Sequence, residues 1–444
     1  MNFKKVSIVT LGCSKNEIDS ELMTSLLKGS DYEIVSNLEE AEIIIVNTCG
    51  FIDMAKEESI ETIWEMTKYK EEGDCKYLIL SGCLAERYSK ELMEEIEEVD
   101  GIIGTGNVKE IVNVIKKLEK EKITKVGNVD VDYLEEVKRI NFSKTAYVKI
   151  SEGCNNFCTY CIIPKLRGKY RSRKIEDIVR EVEYLVSNGV EEIILIGQNT
   201  SDYGIDLYNR YNLNELLDRL NLVEDLKWIR ILYLYPDNFS NELISAIRDN
   251  DKVLKYVDIP LQHINNEILK RMNRKTSKED IVLLIKRLRE EIPEIVIRTT
   301  FIVGFPGETE EEFKELYDFV SQVKFDRLGV FTYSQEEDTP AYKLPNQIEE
   351  YIKIQRRDKI MEIQKDISED LMSKNVGELY EVLIEEEVGD NVYIGRSYMD
   401  SPEIDGVVYV TANNKLELGS FVKVKITDYL EYDLIGEMDY EFGQ

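Results

Sequence analysis

"KISEGCNNFCTYC", residues 149 to 161, sets three cysteines at Cys154, Cys158 and Cys161, with three residues between the first pair and two between the second. A structural zinc site closes with four Cys or His ligands, and a catalytic zinc usually draws on His or carboxylate as well. The chain has one histidine, His263, far downstream of the triplet. A disulfide framework is disfavoured too: the group is odd, there are seven cysteines in all, and no secretory signal is visible. Three thiolates suit an iron-sulfur cluster in which one iron stays open to another ligand.

The residues around the triplet read as an α/β barrel. "TAYVKIS" runs into it as a strand, and "EEIILIGQNT", "LKWIRILYLYP", "KYVDIPLQ", "EIVIRTTFIVGF" and "RLGVFTYS" follow as further strands. Helical patterns such as "IEDIVREVEYLVSNG" and "KEDIVLLIKRLREEI" separate them. Six such units predict a full or partial (β/α) barrel over residues 141–375, whose chemistry sits at the carboxyl ends of the strands. The cysteine triplet occupies the loop after the first strand. Gln198 and Asn199 end the second strand and place amides at the mouth, where they would hold a cofactor or substrate. In "TTFIVGFPGET", Gly304 and Gly307 would let backbone approach a nucleotide closely, or would simply make a tight turn into a helix capped by Thr309. Arg298 points either inward to a carboxylate or outward to a helix. His263 reads as structural. The stretch "PKLRGKYRSRK", residues 164 to 174, has six cations in eleven residues. It reads as a nucleic-acid contact, a solvated loop or an anchor for substrate carboxylates.

Upstream, three apolar runs each finish on a cysteine: "VSIVTLGC" at Cys13, "EIIIVNTC" at Cys49 and "YLILSGC" at Cys83. Helical patterns lie between them, so the strands are expected to be parallel, in an open α/β domain over residues 1–120. Open α/β sheets bind ligands outside the carboxyl ends of their strands, so the three cysteines are expected to converge. Chance placement of three buried core cysteines is the competing reading. Cys75, in a polar turn, stands off the pattern. Residues 121–140 read as a charged linker. From 376 to 444, short alternating strands divided by Gly, Asp and Asn turns predict a small antiparallel β-barrel of the oligonucleotide-binding kind.

The formal charge of −30 over 444 residues disfavours nucleic acid as a general partner. Residues 376–444 alone carry sixteen Asp and Glu against four Lys and Arg. No uncharged apolar run is long enough for a membrane helix, no targeting segment is visible, and a cytoplasmic location is the expectation.

Cys-x3-Cys-x2-Cys on the first loop of such a barrel resembles the signature of radical S-adenosylmethionine enzymes. With the upstream cysteines and a C-terminal barrel that looks like a TRAM domain, the whole chain resembles the methylthiotransferases. That resemblance implies two 4Fe-4S clusters, one on Cys154, Cys158 and Cys161 and an auxiliary one on Cys13, Cys49 and Cys83. It also implies S-adenosyl-L-methionine as methyl donor and radical source, and a reductant such as flavodoxin or ferredoxin. The wording of "LGCSKNEIDSE", "NTCGFIDMAKEESI" and "FTYSQEEDTPAYKLP" looks more like the ribosomal-protein branch of the family than the tRNA branch. The implied target is an aspartate β-carbon in small-subunit ribosomal protein twelve. Asn199 stands where that branch commonly has an acid. Two alternatives remain: methylthiolation of a tRNA adenosine, which the acidic C-terminal barrel disfavours, and a non-catalytic iron-sulfur sensor or scaffold.

Overall fold

A computed structural model describes residues 4–127, 129–130, 138–140 and 142–439. The N-terminal unit is a six-stranded parallel sheet in the spatial order Tyr32–Ile34, Lys4–Thr10, Ile43–Thr48, Tyr77–Ser81, Val99–Ile103, Ile123–Lys125. Its central strands Ile43–Thr48 and Tyr77–Ser81 are apolar until their carboxyl ends because both faces are covered. Ile43 and Ile45 join Ile18, Leu22, Ile111 and Ile115 on one side, whereas Ile44 and Val46 join Ile63, Met66 and Leu84 on the other. The strand order reverses between Lys4–Thr10 and Ile43–Thr48, the place where open α/β sheets put their ligands. Cys13 and Cys49 follow these two strands.

The stretch expected to be linker, 121–140, departs from that reading at its start. Ile123–Lys125 pairs in parallel with Val99–Ile103 and completes the sheet. Residues 128 and 131–137 of it lie outside the described residues.

The central unit holds six parallel strands in chain order: Thr145–Lys149, Glu192–Ile196, Trp228–Ile231, Tyr256–Asp258, Val296–Val303 and Arg327–Thr332. Two three-stranded ladders meet where Leu234 N–H donates to the Asp258 carbonyl at 2.8 Å and Ile229 N–H to the Lys252 carbonyl at 2.7 Å. Among the described residues no ladder joins the first strand to the last, so the barrel is partial. Alternate side chains such as Val148, Ile193, Leu195, Ile229 and Val257 pack outward on the helices. A 24-residue helix, Glu350–Ser373, packs on the last strand and leads to the C-terminal barrel.

That barrel is closed, in the order Leu379–Gly389, Val392–Arg396, Val408–Thr411, Leu434–Met438, Phe421–Tyr429. It is not wholly antiparallel, as its alternation had suggested, because Val408–Thr411 and Leu434–Met438 run parallel. A closed ring of five strands cannot alternate direction all the way round, so one neighbouring pair must be parallel.

Candidate functional site

The three upstream cysteines sit on one edge of the sheet. Cys13 immediately precedes the helix Ser14–Lys28, Cys49 follows Ile43–Thr48, and Cys83 lies in the first turn of Gly82–Arg87. Their loops touch because glycine stands beside each thiol. A Cβ on Gly12, at φ +87°, would fall 2.7 Å from Cys49 Cβ, and one on Gly82, at φ +90°, would fall 2.4 Å from the Thr48 carbonyl oxygen. Buried amides tie the loops together: Asn47 Nδ2 donates to the Asn16 carbonyl at 2.8 Å, and Asn16 Nδ2 to that of Thr48 at 3.0 Å. Cys49 and Cys83 are buried while Cys13 is exposed, so the group opens to one side. Burial pushes the Cys49 thiol up and the Cys83 thiol up to about 12, and Cys13 lies close enough to both for its charge to add to the rise.

The second triplet lies beyond the first barrel strand. Cys154 N–H donates to the Gly168 carbonyl at 3.2 Å and Cys161 N–H to the Cys158 carbonyl at 3.0 Å, which folds the loop into a compact hook. Burial raises the Cys154 thiol to about 11 and the Cys161 thiol further, and Cys158 adds to both. Arg274 stacks on Tyr235, its guanidinium 3.8 Å from the ring centroid, and its charge reaches all three thiols. Sequence reasoning missed this cation, since an isolated arginine carries no spacing signal.

Both triplets suit iron-sulfur clusters. Burial favours the neutral thiol at Cys49, Cys83, Cys154 and Cys161, so metal binding there displaces protons, and Arg274 and Arg167 stand ready to offset the resulting negative charge. Among the described residues no three His, Cys, Asp or Glu side chains converge tightly enough to ligate a single ion. A cluster distributes its thiolates over several irons and has no need of such convergence. Cys75 is elsewhere, buried in the core beside Ala41 and Leu78.

At the barrel mouth Asn199 is 1% exposed, yet neither polar atom of its side chain finds a partner among the described residues. Gln198 donates to Glu152 Oε1 at 2.6 Å and leaves its own oxygen unpartnered. Buried amides of this kind require a ligand or water. Three other sequence candidates are engaged within the chain. Gly304 and Gly307 do adopt positive φ, but the space before their Cα atoms is taken: Lys353 of the helix Glu350–Ser373 covers Gly304, and Arg271 at the end of the helix Asn266–Arg271 covers Gly307. Thr309 caps the following helix, accepting from Glu312 N–H at 3.2 Å. Arg298 points inward, to Asp258 at 2.9 Å and to Asp405 of the C-terminal barrel at 3.3 Å, and so ties two units together instead of facing the mouth. His263 is fully buried, its Nδ1 accepting from Asn265 N–H at 3.0 Å.

The two triplets face one another across the basic stretch. Ile162, next to Cys161, packs with Leu166 directly on Cys83. Arg167 then reaches Asp19 at 2.7 Å and Asn16 at 2.8 Å, and its charge acts on Cys83. Arg171 bonds Asp130 at 3.0 Å and Arg173 bonds Glu181 at 2.7 Å. The three arginines of the segment therefore form an internal brace to carboxylates of the chain itself, while Lys165, Lys169 and Lys174 stay exposed. Burial alone would raise the Glu152 carboxyl, but Lys149 and Arg167 outweigh it and hold the group well below the usual carboxylate range.

A cysteine hook on a partial barrel, a second cysteine group on an open α/β sheet and a closed five-stranded barrel define a radical S-adenosylmethionine enzyme. Family models agree: residues 148–320 match the Radical SAM superfamily, 5–104 the Uncharacterized protein family UPF0004 and 376–438 the TRAM domain. A solved radical S-adenosylmethionine methyltransferase, TsrM from Kitasatospora setae, shares the fold, with a TM-score of 0.59 at 15% identity over 86% of this chain and 81% of that one. Proteins named ribosomal protein uS12 methylthiotransferase RimO are much nearer in sequence. That of Clostridioides difficile (strain 630) is 52% identical over 99% of this chain and 100% of its own length. That of Thermoanaerobacter sp. (strain X514) is 54% identical over 98% and 100%. The chain belongs to the ribosomal protein uS12 methylthiotransferase RimO family.

Proposed function

We propose that the chain methylthiolates the β-carbon of an aspartate in ribosomal protein uS12, with Cys154, Cys158 and Cys161 holding one 4Fe-4S cluster and Cys13, Cys49 and Cys83 the other. When bound, the two clusters and S-adenosyl-L-methionine supply radical hydrogen abstraction at an unactivated carbon and a methylated sulfur to replace that hydrogen. The residues of the chain bind, orient and exclude water. Ile162 and Leu166 fill the space beside Cys83 with apolar side chains. Gln198 and Asn199 present unpartnered amide atoms to whatever enters the mouth. Arg167 and Arg274 supply positive charge beside the two thiol groups. The observation that carries the reading is the direct packing of Cys83 on the residue that follows Cys161.

The choice of substrate is supported by the names of the near-full-length relatives and by charge. The C-terminal barrel exposes Glu385, Glu386, Glu387 and Asp390 on one hairpin, a surface that attracts a basic ribosomal protein and repels a phosphate backbone. A flavodoxin or ferredoxin is the proposed electron source and the cytoplasm the proposed location; among the described residues no helix is long and apolar enough to cross a membrane.

Anaerobic incubation of the reconstituted enzyme with purified uS12 and with tRNA in parallel, followed by mass spectrometry of both, tests the assignment. A methylthio addition on an aspartate of uS12 is expected. Addition on tRNA alone would replace it with the nucleic-acid reading, and no 5'-deoxyadenosine from fully loaded enzyme would favour the non-catalytic one. Asn199→Leu should weaken S-adenosylmethionine binding by about tenfold, the scale of one lost buried hydrogen bond. Calorimetric titration checks this, and unchanged affinity removes Asn199 from the cofactor site.

A further inference from the structure

Two buried carboxylates outside both cysteine triplets hold the cysteine-bearing sheet against the barrel. Asp19, on the helix that Cys13 begins, accepts from Lys149 at 2.8 Å and from Arg167 at 2.7 Å, one residue on each side of the barrel's cysteine hook. Glu336, in the loop after the last barrel strand, is 2% exposed and accepts from Lys56 at 2.9 Å and from Arg87 at 2.7 Å. Lys56 lies on the helix after Cys49, and Arg87 ends the short helix that carries Cys83. Ser334 Oγ also donates to Glu336 at 2.7 Å, and Arg87 donates further to the carbonyls of Gly50 at 3.1 Å and Glu337 at 2.8 Å. Each of the three upstream cysteines thus sits on a segment latched to the barrel by a buried charge. The latches fall on the two sides of the opening where the partial barrel fails to close.

Buried ion pairs contribute little net stability compared with apolar packing of the same shape, but they are directional and demand one geometry. Geometry is what a transfer between two sites needs, since a misplacement of about 1 Å can cost about a hundredfold in rate. We infer that Glu336 is a positioning residue that fixes the two cysteine triplets relative to one another and so determines what fraction of radical events ends in sulfur transfer. The inference rests on the methylthiotransferase reading above and adds a residue to it.

The test uses the reconstituted full-length holoenzyme. Glu336→Gln is expected to keep its iron and to form 5'-deoxyadenosine within about twofold of the parent, while methylthiolated product falls about tenfold or more, so that nucleoside released per product rises in proportion. Arg87→Gln should give the same ratio, and the double variant should be no worse than either single one. Glu336→Asp keeps the charge but retracts it by one methylene and should fall between, which keeps the test open should Gln misfold. In metal-free protein, amide exchange should quicken at the start of the helix Asp53–Glu72 and in the 334–338 loop, a readout independent of turnover. A parent-like ratio in Glu336→Gln, or nucleoside and product falling together, overturns the inference. A parent enzyme that forms neither nucleoside nor product overturns the functional reading instead, and the exchange measurement still decides whether Glu336 is a latch.

Discussion

Replacing Cys154, Cys158 and Cys161 together by alanine is expected to abolish 5'-deoxyadenosine formation and to leave about half the iron, held by the other triplet. Replacing Cys13, Cys49 and Cys83 should instead spare deoxyadenosine formation and abolish sulfur transfer. The two outcomes separate because the groups lie on different units, the first on a barrel loop and the second on three loops of the N-terminal sheet. Each loop group is braced by its own hydrogen bonds, Asn16 to Asn47 in one and Cys154 to Gly168 in the other, so losing one set of thiols leaves the other frame standing. Iron analysis and product chromatography of the folded variants decide the matter. Loss of all iron from either triple variant would rule out two independent clusters. Cys75→Ser serves as the control: this thiol is packed among aliphatic side chains away from both groups, and its loss should change neither readout.

The cysteines were legible for two different physical reasons. The hook was legible from spacing alone, because three thiols within eight residues can serve few purposes. The upstream group was legible from topology, since parallel strands deliver their carboxyl ends to one edge whatever the sequence distance between them. Short or polar elements stayed hidden. Tyr32–Ile34 and Ile123–Lys125 have three residues each, too few to show an alternation. The helix Glu350–Ser373 buries Lys353, Arg356, Gln364 and Ser368 along with Ile360 and Ile367, so its inward face carries no continuous apolar stripe. Asp19, Glu336 and Arg274 are single charged residues in a chain with 144 Lys, Arg, Asp and Glu, and only the fold distinguishes them from solvated neighbours. Arg298 shows the limit from the other side. Its inward direction was one of the two readings open in the sequence, but its partner Asp405 comes from another unit, which no local pattern reveals.

That second seam, between the two barrels, yields the largest expected loss of stability. Glu192, fully buried at the start of the second barrel strand, accepts from Arg230 at 3.1 Å, from Arg396 of the C-terminal barrel at 2.7 Å and from the Thr145 hydroxyl at 2.9 Å. Burial works against its charge, but the two guanidiniums prevail and its carboxyl stays below the ordinary range. Glu192→Leu would leave two buried cations facing each other without their shared anion, a loss of about 3–5 kcal/mol. The sign with pH follows from the depressed carboxyl. The contribution is fully present above the unfolded-state value near 4.5 and is lost as pH falls through the lower native value, so the variant's deficit should shrink under acid. Urea midpoints between pH 3 and 7 measure this, and a deficit below about 1 kcal/mol at neutral pH would show that the seam holds without the network. The same seam contains Arg327 with Asp400 at 2.6 Å and Arg298 with Asp405, so the C-terminal barrel is fixed to the floor of the catalytic one. Its acidic hairpin therefore keeps a set orientation to the barrel mouth, and Glu192→Leu should also weaken the capture of a basic substrate.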